Sequence, residues 1–178
     1  MSNPDIHLFT IGHSTRSIEE FVAILGGHGV AALVDVRSYP ASRRYPQFNK
    51  EDLSTSMASA GVEYHHSRDL GGRRRPNPDS KNTAGINPAF QGFADYMETE
   101  GFRAAIERLL AIAALKQTAI MCAESVWWRC HRSMTSDYLK AKGVAVTHIL
   151  EKTRAEPHSY TAAARVVGME LSYRRLLP

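Results

Sequence analysis

The chain has 178 residues, 43% of them hydrophobic and 22% charged, the size and composition of one globular domain able to bury a sizeable core. Its formal charge of +4 and pI of about 9.2 bias it toward phosphate-bearing partners without requiring them. No apolar run approaches the roughly 18 residues of a membrane span and the start MSNPDIHLFT lacks a signal-peptide pattern, so no membrane partner and a cytoplasmic location are expected.

Ile6 to Ile11 is a short apolar run followed at once by Gly12-His13-Ser14 and then Ser17-Ile18-Glu19-Glu20, which reads as a strand, a tight turn and a helix-capping box. Phe21, Val22, Ile24 and Leu25 continue at helical spacing until Gly26, Gly27 and Gly29, and Ala31 to Val36 is a second strand. Such a strand-helix-strand unit places its strands parallel. A polar stretch through Pro40 and Pro46 leads to a helix opened by Asn49 and closed near Gly61, then to a third strand at Val62 to His66. Residues 67–87 turn to Gly, Pro, Asn and Arg, centred on Gly71-Gly72-Arg73-Arg74-Arg75-Pro76, and are expected to form a long mobile loop. Asn87-Pro88 starts one helix, or two with a break near Gly101. Thr118 to Met121 is a fourth strand, a helix runs from about Cys130–Arg132 to Gly143, and Val144 to Leu150 is a fifth strand. The segment 151–178, with Pro157 and Tyr160 to Val167, gives a mixed signal and is expected to be partly helical. The pattern predicts one three-layer α/β domain over 1–178, a mainly parallel sheet of about five strands with helices on both faces.

Each strand delivers polar groups at its end: Gly12, His13 and Ser14 after the first, Asp35 and Arg37 at the second, His65, His66 and Arg68 at the third, Cys122 and Glu124 at the fourth. His148 lies within the fifth. Ligands of open parallel sheets bind outside the carboxyl ends of the strands, so these side chains are expected to converge. That loops are simply polar explains Ser14 or Arg68 alone; it explains less well an Asp inside Leu33-Val34-Asp35-Val36 or a Glu directly after a buried strand.

The densest motif runs from Cys122 to Arg132, and three chemistries are open for it. The cysteines have neither disulfide-framework nor Cys-x-x-Cys spacing, so reduced thiols are expected. A thiol at a strand exit or helix start, near arginine and imidazole, can be a nucleophile. Cys122, Cys130 and His131 with a further histidine could bind zinc, although no paired-ligand spacing occurs and no residue is assigned as a metal ligand. Glu124 and Asp35 could do acid–base work while the cysteines merely pack. Trp127 and Trp128 suit either base stacking or a core.

Thr10-Ile11-Gly12-His13-Ser14, Asp35-Val36-Arg37 with Pro40 and Ser42-Arg43 downstream, Leu70-Gly71-Gly72, Cys122-Ala123-Glu124 and Cys130-His131-Arg132 occur in that order. Together, from about Thr10 to Ile149, they resemble the domain-of-unknown-function 488 family. The resemblance implies a bacterial-type α/β domain and marks the strand-exit residues as a signature. It carries no activity, substrate or cofactor.

The expectation is an enzyme acting on a nucleotide or nucleic-acid substrate. Catalytic candidates are Glu124, Asp35, His13 and Cys122; substrate-binding candidates are Gly12, Ser14, Arg37, Arg43, Arg132, Cys130 and His131. A non-catalytic nucleic-acid-binding module using residues 67–87 and the tryptophans is the alternative, as is a Cys/His metal-binding protein with zinc as the candidate cofactor. No residue pattern speaks to oligomeric state.

Overall fold

Short β-branched runs and amphipathic helices alternate along the chain, and each strand needs apolar cover on both faces. The computed structural model describes residues 5–175; the outermost residues of the expected 1–178 domain and 151–178 segment lie outside them. The strands are β1 (His7–Gly12), β2 (Ala32–Asp35), β3 (Glu63–His66), β4 (Thr118–Cys122), β5 (Ala145–Glu151) and β6 (Arg154–Pro157). They form one sheet in the order β3-β2-β4-β1-β5-β6, parallel except for β6 at the edge.

The helices are α1 (Ile18–Gly27), α2 (Lys50–Ser59), α3 (Pro88–Met97), α4 (Glu100–Ala113) and α5 (Arg132–Ala141). Phe21 and Leu25 of α1 and Leu53 and Met57 of α2 pack with Leu33, Ala119 and Met121 on one face of the sheet. Phe93 of α3, Phe102 and Ile106 of α4, and Met134 and Leu139 of α5 pack with Leu8, Ile120, Cys122 and Val146 on the other. The two-residue period of the strands divides β4 this way, so Cys122 points toward the α5 face. The three-layer α/β architecture matches the sequence reading, with an added sixth strand.

The tail differs from the sequence pattern, and the stretch after Asn87 takes the second of its two alternatives. The helical stretch after Asn87 is two helices, because the Thr99 side chain accepts from the Phe102 N–H and starts α4 afresh. Among the described residues after Glu151 there are strands and no helix. The chain turns back to lay β6 antiparallel on β5, and β7 (Arg165–Val167) and β8 (Glu170–Ser172) form a hairpin. Pro157 is accommodated because β6 is an edge strand, and Gly168, at φ 61°, supplies the positive dihedral of the tight hairpin turn. Strands of three or four residues are too short to show a period. Residues 67–87 are irregular apart from a 3-10 turn at Arg68–Leu70. Asp95 of α3 accepts from the Asn77 N–H at 2.8 Å and the Asn82 amide at 2.9 Å, and the Arg74 guanidinium lies 3.5 Å from the Tyr96 ring centre.

β1 and β4 are neighbours whose next helices lie on opposite faces, so their exit loops must cross. The crossing is closed by backbone: the His13 N–H donates to the Cys122 carbonyl at 2.9 Å and the Ser14 N–H to the Ala123 carbonyl at 3.0 Å. Gly12 sits where a side chain would run into the Glu124 carbonyl and the Ser125 Cα. Gly12→Ala should therefore cost about 3 kcal/mol or more in urea unfolding, because main chain on both sides must move. Gly26→Ala, which meets nothing within 4 Å, should gain about 0.5–1 kcal/mol.

Candidate functional site

The exits of β1, β2 and β4, the start of α5 and the Gly72–Arg73 loop enclose a cleft of about 670 Å³. Cys122 and Cys130 lie side by side in it, with Sγ atoms 2.8 Å apart. His13, Ser14, Arg37, Glu124 and His131 also line it, so most of the sequence-derived site residues converge here. Tyr39, Arg73, Phe90 and Arg129 are among the other lining residues and are not sequence candidates.

The thiols are unequal. Cys122 is the last residue of β4, fixed in the sheet. Cys130 precedes the ten-residue helix α5, where unpaired N–H groups and the helix dipole favour negative charge. Its sulfur accepts the Arg132 N–H at 3.5 Å and lies 3.5 Å from His131 Nδ1. The hydrogen bond from Cys122 holds the Cys130 thiol well below its ordinary range against the opposing effect of burial, with His131 and Arg132 adding to the shift. Burial, then the neighbouring sulfur, pushes Cys122 well up. The opposite shifts favour a shared proton on Cys122 and, where the pair ionises, the charge on Cys130.

Beneath the thiols lies Arg132, only 1% exposed. One terminal nitrogen donates to the Glu124 carbonyl and the other to Thr10 Oγ1 at 3.3 Å, while Nε has no partner. No salt bridge reaches Arg132 among the described residues. A buried cation requires a counter-charge, and the thiol pair is what stands beside it. Burial works against the charge on Arg132, but Cys122 and Cys130 outweigh it and raise its pKa. Arg132 is therefore a support of the thiols and does not line the cleft as a phosphate holder.

Asp35 is likewise a support. Its carboxylate, fully buried, accepts from Arg37 Nε at 2.9 Å, from an Arg37 terminal nitrogen at 2.7 Å and from the Tyr64 hydroxyl at 2.7 Å. Both its oxygens are thereby engaged away from the cleft lining, and its effect is to aim Arg37. Burial and the Asp35 charge push Tyr64 far above the usual phenol range. The other Arg37 terminal nitrogen lies 3.4 Å from His13 Nε2. His13 Nδ1 donates to the Ser14 carbonyl at 2.9 Å, which leaves Nε2 as the acceptor, and the ring stacks on Phe48 at 4.2 Å. Glu124 is exposed at the rim, its carboxylate held only by the Val126 N–H at 3.3 Å. Gly12 serves the loop crossing. Arg43 is exposed and does not line the cleft. Among the described residues no three His, Cys, Asp or Glu side chains gather so as to hold a metal ion. No helix there is long and apolar enough to cross a membrane.

The sequence reading missed a buried polar chain behind Arg132. Thr10 Oγ1 lies 2.6 Å from His148 Nδ1, His148 Nε2 lies 2.9 Å from His158 Nδ1, and His158 Nε2 lies 2.8 Å from Asp137 Oδ1. Thr161 and Tyr173 donate to the same carboxylate. Trp127 stacks on His148 at 4.1 Å, whereas Trp128 is 56% exposed. His148 was noted at its strand; Asp137 and His158 carry no motif, and only an unusually polar start to α5 hints that its inward face is not apolar.

A family model described as domain of unknown function DUF488 matches residues 17–139, a span that includes Asp35, Arg37, both thiols, Arg132 and Asp137. No curated protein and no solved structure matches the chain.

Burial lowers His13 to about 4 and His148 to about 3. In the unfolded chain both titrate near 6.5, so between that pH and about 4 the unfolded state takes up protons that the native state refuses. Stability is therefore full above pH 6.5 and falls as the pH drops, by up to about 3 kcal/mol per ring at pH 4. Urea unfolding at pH 7 and pH 4.5 should show the loss, and His148→Gln should remove its share of the pH dependence.

Proposed function

The chain belongs to the domain of unknown function DUF488 family, and from the chemistry of its cleft we propose that it is a thiol-dependent enzyme acting on a phosphate-bearing substrate of the nucleotide class. The observation that carries this is the thiol pair, 2.8 Å apart in the cleft, beside a buried guanidinium that has no carboxylate partner. Both thiols are buried, Cys122 4% and Cys130 7% exposed, and what sets them apart from merely packed cysteines is the guanidinium and the helix start beside them, which favour the reactive thiolate.

Charge and shape support the substrate class. Arg37, Arg73 and Arg129 line the cleft against the single carboxylate of Glu124, and arginine grips phosphate through paired N–H groups. Tyr39, 61% exposed, has the guanidinium carbons of Arg68 and Arg73 each 5.6 Å from its ring centre. An aromatic face flanked by cations suits a base next to its phosphate. A volume of about 670 Å³ is ample for a nucleotide. In this reading the Cys130 thiolate attacks the electrophilic centre, the S–substrate bond forms as the leaving-group bond breaks, and the leaving group takes the Cys122 proton. Glu124, at the rim, then activates water to release the adduct. Asp35 and His13 hold Arg37.

Alkylation tests the reading directly. Iodoacetate should label Cys130 faster than neutral iodoacetamide does, the reverse of their order on an exposed thiol. Inorganic phosphate should protect it and a nucleoside triphosphate should protect it better. Arg73→Ala with Arg129→Ala should abolish the preference for iodoacetate, with a loss of tenfold or more. Labelling indifferent to phosphate, nucleotide and both arginines would sink the proposal.

A further inference from the structure

We propose that Cys122 and Cys130 are an oxidising dithiol–disulfide couple, whose disulfide oxidises a dithiol-bearing substrate or partner by two electrons and whose reduced form is favoured by Arg132. This rests on the reading of Cys130 as the nucleophile and not on the phosphate.

The geometry of exchange is complete within the pair. Sulfurs 2.8 Å apart lie close enough to bond with little movement, and both residues, though buried, line the cleft. Cys130, at the start of α5 with the Arg132 N–H on its sulfur, attacks; Cys122, fixed in the sheet, resolves. The Cys130 thiolate attacks one sulfur of RS–SR′, forming the Cys130–SR bond, and R′S⁻ departs with the Cys122 proton. The Cys122 thiolate so formed attacks Cys130 Sγ and expels RS⁻. These steps charge the couple: two protein sulfurs are oxidised to one disulfide as RS–SR′ is reduced to two thiols. A substrate dithiol then runs them in reverse, its first thiolate attacking Cys130 Sγ and expelling Cys122, its second closing the substrate disulfide and expelling the Cys130 thiolate.

The direction of the couple follows from charge. A disulfide is neutral, so oxidation strips the buried Arg132 of its counter-charge, and whatever stabilises the dithiolate side makes the disulfide a stronger oxidant. The groups that face the sulfurs are Arg132 and His131 from α5, with His13, Arg37 and Glu124 at the strand exits. Only Arg132 among these is both fully buried and without a carboxylate.

The chain behind Arg132 keeps that charge in place without cancelling it. Asp137 can only accept, so His158 carries its hydrogen on Nε2 and accepts on Nδ1; His148 then donates from Nε2 and accepts on Nδ1 from the Thr10 hydroxyl. The Thr10 oxygen is left to accept from Arg132. With these tautomers every donor points from Arg132 toward Asp137. The carboxylate thus orients the guanidinium from a distance, and the local positive charge remains for the thiolate. Asp137, His148 and His158 are positioning residues.

The full chain, equilibrated with glutathione and its disulfide and examined by intact mass, tests the couple. Wild type should lose two hydrogens with no adduct. Cys122→Ser should hold one glutathione on Cys130, and Cys130→Ser should take up none. Arg132→Met should become half-oxidised at a glutathione ratio at least tenfold more reducing than wild type, and His158→Gln should move the same way by less. A lasting adduct on wild type, or no reaction, overturns the couple, and that result needs no variant to fold. An unmoved midpoint in Arg132→Met, or in His158→Gln if the former does not fold, overturns the role of the buried charge. Iodoacetamide labelling separates the two readings. Rapid labelling of Cys130 at pH 6 with only an adduct formed from glutathione disulfide leaves the nucleophile standing and the couple fallen, whereas slow labelling at pH 6 removes both.

Discussion

A guanidinium shut away from water with no carboxylate beside it is the constraint around which this protein is arranged. Arg132 ties the loop after β4 through the Glu124 carbonyl, ties β1 through Thr10, and lies against both thiols. Leaving such a charge unpaired would cost several kcal/mol. The fold answers with a sulfur that ionises easily and with a line of oriented dipoles ending at Asp137. Stability and thiol ionisation are thereby coupled, since the feature that makes burial of the arginine tolerable also favours the Cys130 thiolate.

Two ion arrangements in the site show opposite uses of burial. Arg37 meets Asp35 through two nitrogens and is electrostatically satisfied, so it offers the cleft a fixed direction more than a free charge. Arg132 meets no carboxylate and projects its field onto the neighbouring sulfurs. The first arrangement fixes a direction and the second favours a thiolate. Both depend on the crossing of the β1 and β4 exits, which brings His13 against Cys122 through main-chain hydrogen bonds and leaves room for no side chain at residue 12.

Much of this was legible in the sequence. The alternation of β-branched runs with capped amphipathic helices gave the parallel sheet and both helical layers, because period and capping are local properties. Listing the residues at strand ends located the cleft, since parallel topology sends those ends to one side. What the sequence could not assign was the direction of each side chain. Position at a strand end or helix start marks Asp35 and Arg132 as acid–base and phosphate-holding candidates, yet both side chains are buried inside the protein. The tail was misjudged because its strands span three or four residues, below the length at which alternation can be told from a helical pattern. Arg73 and Arg129 reach the cleft from irregular segments, where no period fixes a side chain's direction.

The polar chain behind the site spans unusual distances along the polypeptide. Thr10 and His148 are 138 residues apart, and Asp137 collects its donors from His158, Thr161 and Tyr173. During synthesis, β1, β4 and α5 emerge before any of those donors exist, and contacts of such long range close late. The scaffold of the cleft is therefore built well ahead of its charge network. A nascent chain presents two thiols and a loose arginine, and only the arrival of the short terminal strands converts that arrangement into a tuned one.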